Sequence, residues 1–482
     1  MELSTNKRVG WSLFSLVIGV LLLAIAIGVG FAFFDLQQVG FYWVALILIS
    51  LAYLTLGVIS PKRRALCFLT IIFLLPIHLD VPVGPVPHHI GGARPGIVLW
   101  PLDLPLALLW VYKMIEAGRD SRNLRLSRFT LLVFAMSTWW MLSIFTSVAP
   151  DYTLFEVVRT IKGLLIFLAL VDWVRDVSKF RLLIIGLLIA VSLQIMLGLA
   201  QHIAQDPLLP VSLGAPQPNA YRLLDSTELN KYVGGTVGQG NVLGVFLNMF
   251  LPMFLGIYLT RKRGRYWGLL LLWIMGMLVV FFTYSRAAWL VSVLSTVITF
   301  GLARPKTTSR LFRRWRLLGG FILIIILILI FLNREAILLR LRYSDPQLIQ
   351  GRIDLDLIAL DLVRQHPVWG IGLNAFTTMK LYTVAGRWPP VHNGFLLIAC
   401  ETGVLGMLLW LILCFSAIRS SFQLQKRLEG PSRGAAIGLG VGLVSLLLHS
   451  MSTWAFRDDV IFVSFWIIIG LLTALKACRR IC

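Results

Sequence analysis

The chain has 482 residues, of which 58% are hydrophobic and 14% are charged, and its mean hydropathy is +0.84. A bilayer-spanning helix needs about 20 mostly apolar residues, and stretches of that kind recur along the whole sequence. The composition therefore excludes a soluble domain and predicts an all-α polytopic membrane protein. The formal net charge of +22 suits nucleic-acid binding only if the basic residues form one patch, and here they lie in short loops between apolar runs.

The apolar stretches predict about 12–14 transmembrane helices. Two of them, 65–79 and 160–173, are short and are interpreted as re-entrant segments or as spans lengthened by tilted neighbours. In chain order the predicted spans cover residues 11–34, 41–59, 65–79, 97–113, 129–147, 160–173, 182–203, 240–260, 266–284, 286–303, 317–333, 392–415, 434–453 and 460–476.

The basic loops predict the orientation of these spans. With both termini in the cytoplasm, about 30 of the 44 Lys and Arg residues fall on the inner side, as the positive-inside rule requires. Alternation then places the 334–391 segment, the 204–235 loop and the 283–286 turn on the outer face. We therefore expect membrane lipids as partners and no nucleic acid.

Other motifs predict packing rather than chemistry. The glycines Gly438, Gly440 and Gly442 lie inside an apolar run with no strand before them, so they indicate close helix packing rather than a nucleotide loop. The adjacent His88 and His89 diverge and have no acidic residue at ligand spacing, so no metal site is predicted. The five cysteines form no CxxC pair and are interpreted as inert thiols: Cys67, Cys400, Cys414, Cys478 and Cys482.

The longest polar stretch runs from Asn333 to His392 and separates two apolar segments. Within it, Arg352–Gln365 has the spacing of an amphipathic helix that lies on the membrane surface or caps the bundle. Its predicted apolar stripe consists of Ile353, Leu357, Leu360 and Val363. Gly370-Ile371-Gly372 then predicts a tight bend near the outer leaflet. The stretch carries six arginines: Arg334, Arg340, Arg342, Arg352, Arg364 and Arg387.

Three ionisable residues near the ends of apolar runs are candidates for chemistry. Arg286 follows Thr283-Tyr284-Ser285 with almost no loop, and a charge in such a place is costly unless it faces a cavity or a partner. His392 begins a predicted span, and imidazole exchanges a proton near neutral pH. Glu401 lies nine residues further on, and a bend in that helix would let its carboxylate set the tautomer of His392.

Further polar residues are candidates for binding an anionic substrate. Lys162 lies inside an apolar run, Arg159 lies at the outer end of the same span, and Arg222 lies in the 204–235 loop. Structural ion pairs explain these residues equally well. Asn393, directly after His392, is a fourth candidate for substrate binding.

At this point the sequence resembles the O-antigen ligase and polymerase superfamily over residues 235–410. His392-Asn393, followed after nine residues by Gly403-Val404-Leu405-Gly406, reproduces the H-[N/S/Q]-x9-G-x-x-G pattern of O-antigen ligases, and Arg286–Leu290 resembles their R-x3-L motif. Gly351–Phe376 looks like the periplasmic-loop signature of the superfamily. Thr236–Pro252 resembles its G-T-x-x-x-x-N helix start.

The resemblance implies a metal-independent, inverting glycosyltransferase of the C-type transmembrane fold, without a cofactor. Its members transfer a glycan from an undecaprenyl-diphosphate carrier to a lipid or glycan acceptor on the periplasmic face of the bacterial inner membrane. By the same resemblance His392, Arg286 and Arg352 are the catalytic residues, assisted by Arg222.

Elementary chemistry agrees with these roles. The leaving group is a lipid diphosphate whose negative charge grows as the sugar bond breaks, and arginine pairs with phosphate oxygens through two parallel hydrogen bonds. Arg286 and Arg352 therefore suit charge stabilisation without a metal. His392 suits accepting the proton of the acceptor hydroxyl, or orienting that hydroxyl.

Three alternatives stay open. A ligase and a polymerase of the same superfamily differ only in the acceptor. A membrane transporter of the inorganic-carbon type would place its charges near the bilayer midplane, and a membrane scaffold would need no conjunction of Arg286 and His392. The predicted divisions are N-terminal transmembrane helices (1–235), central transmembrane helices with the R-x3-L motif (236–333), the periplasmic loop (334–391) and C-terminal transmembrane helices (392–482).

Overall fold

A computed structural model describes residues 62–77, 81–83, 96–117, 127–206, 208, 233–261, 266–303, 346–379 and 390–478. The described chain is almost entirely helical, which confirms the all-α polytopic membrane class. The predicted spans 11–34, 41–59 and 317–333 lie outside the described residues, as do Arg222 and residues 380–389.

Twelve α-helices and one short antiparallel ribbon make up the described part. The ribbon pairs β1 (Val81–Val83) with β2 (Ile97–Leu99). In chain order the helices are α1 (Arg63–Leu74), α2 (Asp103–Ala117), α3 (Arg128–Leu142), α4 (Pro150–Trp173), α5 (Val177–Ala204), α6 (Gly240–Thr260), α7 (Trp267–Phe282), α8 (Arg286–Ala303), α9 (Pro346–Gln365), α10 (Gly394–Arg427), α11 (Gly430–Ser450) and α12 (Asp459–Ala477).

Seven apolar segments of the described chain are long enough to cross a membrane. They are α3 with the 3-10 turn that follows it, then α5, α6, α8, α10, α11 and α12, and α7 is a shorter apolar helix of 16 residues. The predicted spans 240–260 and 286–303 agree with α6 and α8 at both ends. Long apolar runs were therefore sufficient to locate most spans.

Two predicted spans need correction. The 97–113 stretch is not one helix, because residues 97–99 pair with β1 and the helix begins at Asp103. The 160–173 stretch is not a short segment, because α4 starts ten residues earlier, at Pro150. A proline at the first helical position is favourable since its missing N–H has no intrahelical partner there. The charged residues in the first half of α4 had hidden this start.

Glycines allow α6 and α11 to pack closely. A Cβ on Gly434 would collide with the backbone of Gly256, and a Cβ on Gly438 would collide with the backbone of Met253. A Cβ on Gly442 would meet the backbone of α6 in the same way. Small residues at such contacts let helix backbones approach within a membrane. The prediction of close packing, rather than a nucleotide loop, is confirmed.

Helix α9 caps the bundle through a face different from the predicted one. Its buried residues are Leu355, Ala359 and Leu362, which join a small apolar cluster with Val391 and Leu397. Three of the four stripe residues are exposed: Ile353 (47%), Leu357 (60%) and Leu360 (37%). The helix is apolar on two sides, so periodicity alone could not select the side that packs. This packing brings the N-terminal half of α9 beside the start of α10.

Candidate active site

His392 lies immediately before α10, in a short segment that leads into the helix. The helix begins because the side-chain oxygen of Asn393 accepts hydrogen bonds from the backbone N–H groups of Phe395 (3.0 Å) and Leu396 (3.2 Å). Such a cap satisfies donors that have no intrahelical partner. His392 itself is half-buried, and its Nδ1 is buried without a hydrogen-bond partner in the described part of the chain.

Arg286 is the first residue of α8 and follows a sharp turn from α7. Tyr284 in that turn is buried and has a φ of 51°, a conformation that is uncommon for a residue with a side chain. The indole of Trp289 ties the turn to α7, since it donates to the carbonyl of Phe281 (3.0 Å). This local geometry places Arg286 at the helix end with an exposed side chain.

Arg352 lies in the N-terminal half of α9, and its charge interacts with the other two predicted catalytic residues. Desolvation lowers the pKa of the Arg352 guanidinium, and repulsion from Arg286 lowers it further. Burial lowers the pKa of His392 to about 4, with repulsion from Arg352 as the second cause and the Pro390 carbonyl opposing it. Arg352 is therefore within electrostatic range of both Arg286 and His392, which come from two other segments of the chain.

Asp356 is a residue of this region that the sequence analysis missed. It lies one helical turn after Arg352, on the same face of α9, and its Oδ1 is buried with no partner in the described chain. Burial raises the pKa of the Asp356 carboxyl, against the attraction of Arg352. The sequence signal that could have found Asp356 is its i,i+4 spacing from Arg352, which was already predicted to be catalytic.

The glycine part of the His-to-Gly motif forms a kink in α10. Gly403 has φ 74° and ψ 169°, so the helix interrupts its own hydrogen bonding there. Segment 366–372, part of the predicted loop signature, docks into the opening. Gly370 and Gly372, with φ of 69° and 99°, make the predicted bend. Three backbone hydrogen bonds join the two segments: Ile371 N–H to Cys400 O (2.9 Å), Gly372 N–H to Glu401 O (3.0 Å) and Val404 N–H to Pro367 O (2.8 Å).

Two tryptophans of α3 donate hydrogen bonds to backbone carbonyls of α10 on either side of the kink. Trp139 donates its indole N–H to the carbonyl of Thr402 (3.0 Å) and stacks on Trp369 with a centroid distance of 4.0 Å. Trp140 donates to the carbonyl of Gly406 (3.4 Å). Buried carbonyls need such partners. The loop signature and the motif glycines thus form one structural unit behind the convergent charges.

Glu401 does not orient His392, contrary to the hypothesis drawn from the sequence. Its carboxylate is 2% exposed, forms an ion pair with Arg457 and accepts the backbone N–H of Phe376 (3.2 Å). The same arginine donates to the side-chain oxygen of Asn374 (2.6 Å). The helix does bend, but at Gly403, and the carboxylate lies within this network.

Of the predicted substrate-binding residues, Arg159 and Lys162 are bonded to acidic residues of the fold, and Asn393 directly follows His392. Arg159 is 5% exposed and bonds Glu156 and Asp459, each at 2.7 Å. Lys162 donates to Asp103 and to the carbonyl of Val98 (2.8 Å). Asn393 serves as the helix cap, and Arg222 lies outside the described residues. Substrate binding by these four residues stays a prediction, and three of them have a structural role in the fold.

The family model described as O-antigen ligase matches residues 270–411, a little under a third of the chain. The matched region runs from α7 into α10, and it contains Arg286, Arg352 and His392 together with the kink in α10. The resemblance drawn from the motifs is thereby confirmed for this part of the chain. No curated protein matches the chain.

Together with the seven described apolar segments that are long enough to cross a membrane, this match supports a multi-pass membrane protein with an O-antigen ligase-like region. Within the described residues no group of three or more His, Cys, Asp and Glu side chains is placed to hold a metal ion.

Proposed function

We propose that this protein transfers a glycan from an undecaprenyl-diphosphate carrier to an acceptor hydroxyl on the periplasmic face of the bacterial inner membrane. The observation that carries the proposal is the approach of Arg286 and Arg352 from two different helices beside His392. Two positive groups that repel each other at a fixed place suit a ligand with at least two negative charges. A diphosphate diester has that charge.

Neither arginine has a hydrogen-bond or ion-pair partner in the described part of the chain. Both side chains are exposed, so their donors are open to a ligand, and a bound diphosphate would offset their mutual repulsion. Each arginine presents planar donors that match phosphate oxygens. As the sugar–phosphate bond breaks, the growing charge strengthens these contacts, which is the condition for lowering the barrier.

His392 is neutral at neutral pH, because its pKa lies at about 4 in the ligand-free protein. A neutral imidazole can accept a proton, but at that pKa it is a weak base. Diphosphate bound at Arg352 would cancel the repulsion that lowers the pKa of His392. Donor binding would therefore strengthen the base at the moment when the acceptor hydroxyl needs it.

The proposed step is a direct displacement. The acceptor oxygen attacks the anomeric carbon, the bond from that carbon to the diphosphate oxygen breaks, and its electron pair leaves with the carrier diphosphate. The hydroxyl proton passes to His392. The two arginines balance the charge on the leaving group, so the step as proposed uses no metal ion and inverts the anomeric configuration.

The acceptor decides between ligase and polymerase. A lipopolysaccharide core or another surface glycan would make the protein a ligase, and a second carrier-linked repeat would make it a polymerase. We propose the ligase because the His392-Asn393 to Gly406 pattern has the ligase spacing. A transporter fits less well, since Arg286 and His392 lie at the starts of the apolar helices α8 and α10 rather than in the middle of a membrane-spanning segment.

The test is a reconstituted transfer assay with a carrier-linked glycan and each class of acceptor. Arg286→Ala and His392→Ala should abolish transfer while the detergent-solubilised proteins keep the wild-type melting temperature. Arg364→Ala is the matched control, because Arg364 is exposed on the same helix as Arg352 and lies three turns away. Full activity in either site variant would overturn the mechanism, and equal loss in the control would show a general charge effect.

A further inference from the structure

Helices α6 and α11 share a buried polar pair that lies beside the R-x3-L motif. Asn248 of α6 is 0% exposed and His449 of α11 is 1% exposed. The Asn248 amide nitrogen lies 3.0 Å from His449 Nε2 and 2.9 Å from the carbonyl oxygen of Ala288. Ala288 is the third residue of α8, two positions after Arg286.

The chemistry of the contacts assigns the hydrogens. A carbonyl oxygen only accepts, so the Asn248 group facing Ala288 must be the NH2 group. Its second hydrogen then points to His449 Nε2, which must accept, so His449 is neutral with its proton on Nδ1. One amide group thus bridges α8 and α11 from α6. The orientation is forced even though it leaves Asn248 Oδ1 buried without a partner in the described chain.

Apolar packing alone does not require this pair. Burying amide and imidazole groups costs free energy that hydrogen bonds only partly recover, and an unpaired acceptor costs about 1–3 kcal/mol more. Leucine at both positions would fill the core without that cost. A polar bridge does what leucine cannot, since its bonds fix the rotation and depth of the first turn of α8.

The same end of α11 also contacts the start of α10. Gly394, the first residue of α10, lies so close to α11 that a Cβ there would be 3.3 Å from Ser450 and 3.2 Å from the carbonyl of Thr453. Ser450 follows His449 directly. The end of α11 therefore lies between the helix that begins at Arg286 and the helix that begins just after His392.

We propose that His449, acting through Asn248 and the Ala288 carbonyl, is a positioning residue. It holds Arg286 in place at the anion site, which is the place beside Arg352 where the diphosphate is proposed to bind. The inference rests on the proposed function for the identity of the anion, but the position of Arg286 is a property of the fold. Removing the acceptor at His449 should release the Asn248 amide and let the first turn of α8 shift.

The position of Arg286 can be tested without a glycan. The test measures the affinity of the detergent-solubilised protein for a short prenyl diphosphate, farnesyl diphosphate. His449→Leu, which removes the acceptor, should raise the dissociation constant about tenfold. His449→Gln, whose carbonyl oxygen can accept the same hydrogen bond, should stay near the wild-type value. Ser445→Ala is the matched control, because Ser445 is equally buried one turn earlier on α11 and bonds only its own helix, at Val441 O (3.0 Å).

A double-mutant cycle separates positioning from general destabilisation. In an Arg286→Ala background, His449→Leu should cause no further loss of affinity, because there is no guanidinium left to misplace. The inference is wrong if His449→Leu binds as tightly as Ser445→Ala. It is also wrong if the loss has the same size with and without Arg286.

A second measurement keeps the inference independent of the proposed ligand. A nitroxide label at Arg286→Cys should become more mobile in His449→Leu and not in Ser445→Ala. If wild-type protein binds no prenyl diphosphate, the proposed function fails, and the label alone decides whether His449 positions the turn. An unchanged spectrum in His449→Leu would overturn the positioning role even if the transfer activity is confirmed.

Discussion

Two groups of arginines differ in how their charge is compensated. Arg159, which is buried, and Arg457, which is partly buried, are both paired, the first with two carboxylates at 2.7 Å and the second with Glu401. Arg286 and Arg352, in contrast, have no hydrogen-bonded or ion-paired partner in the described chain and repel each other. The sequence alone does not show which of the four has a partner in the fold.

The difference separates structure from candidate chemistry. A guanidinium group that already bonds two carboxylates, two backbone carbonyls and the face of Phe462 (3.9 Å), as Arg159 does, has little capacity left for a ligand. Arg286 and Arg352, which have no hydrogen-bonded partner in the described chain, keep their donors available for a ligand. The kinked helix α10 carries one residue of each group's surroundings, with His392 before its first turn and Glu401 just before the kink.

The largest effect is expected from breaking an ion pair of the paired group, the one between Arg457 and Glu401. Arg457→Ala leaves the carboxylate of Glu401 buried without its counter-ion, which costs roughly 3–5 kcal/mol of unfolding free energy. Thermal or denaturant unfolding in detergent measures the loss. Adding Glu401→Gln should recover part of it, because the orphaned charge is gone. An Arg457→Ala protein as stable as wild type would contradict the assignment of a structural role.

Removing an arginine of the unpaired group, Arg286 and Arg352, should lower activity and leave stability unchanged. Arg352→Ala removes donors aimed at the leaving diphosphate, so transfer should fall about 10²–10³-fold with no loss of stability. Initial rates with saturating donor, together with melting curves, test both halves of the prediction. If Arg352→Ala unfolds the protein as Arg457→Ala does, the contrast between the two groups fails.

A smaller effect is expected at the boundary between the groups. Gly403→Ala places a Cβ against the carbonyl of Val368 at a φ of 74°, and such strain costs about 1–3 kcal/mol. The docked segment 366–372 should loosen, seen as faster amide hydrogen exchange. Gly268→Ala is the control, since a Cβ there meets nothing within 4 Å and the helix should be unharmed. Equal exchange in the two variants would argue against the docking.

The last prediction concerns proton affinity. Desolvation is the main cause of the low pKa of His392, about 4, and Arg352 adds to it. Arg352→Gln should therefore raise this pKa, so that His392 becomes protonated at a higher pH than in wild type. The pH dependence of diethyl pyrocarbonate modification, taken as the difference from His392→Gln, measures the midpoint. A midpoint that stays in place or falls would show that the two residues do not interact.

Local pattern predicted much of the fold. The bounds of α6 and α8 followed from run length, and the bend at Gly370–Gly372 followed from glycine spacing. The 97–113 span was wrong, because a short strand pairs with residues outside the run. For α9 the presence of a helix was predictable, but its buried face was not, since both sides are apolar.

The sequence by itself determined the membrane class, most helices and the three residues of the candidate site, because run lengths and short motifs are local properties. Only the tertiary structure decided which arginines are neutralised, since Asp459 lies 300 residues after Arg159. It also placed Glu401 with Arg457 instead of His392, and joined Asn248 to His449. The compensation of a charge depends on which helices pack together, and no periodicity within one helix records that choice.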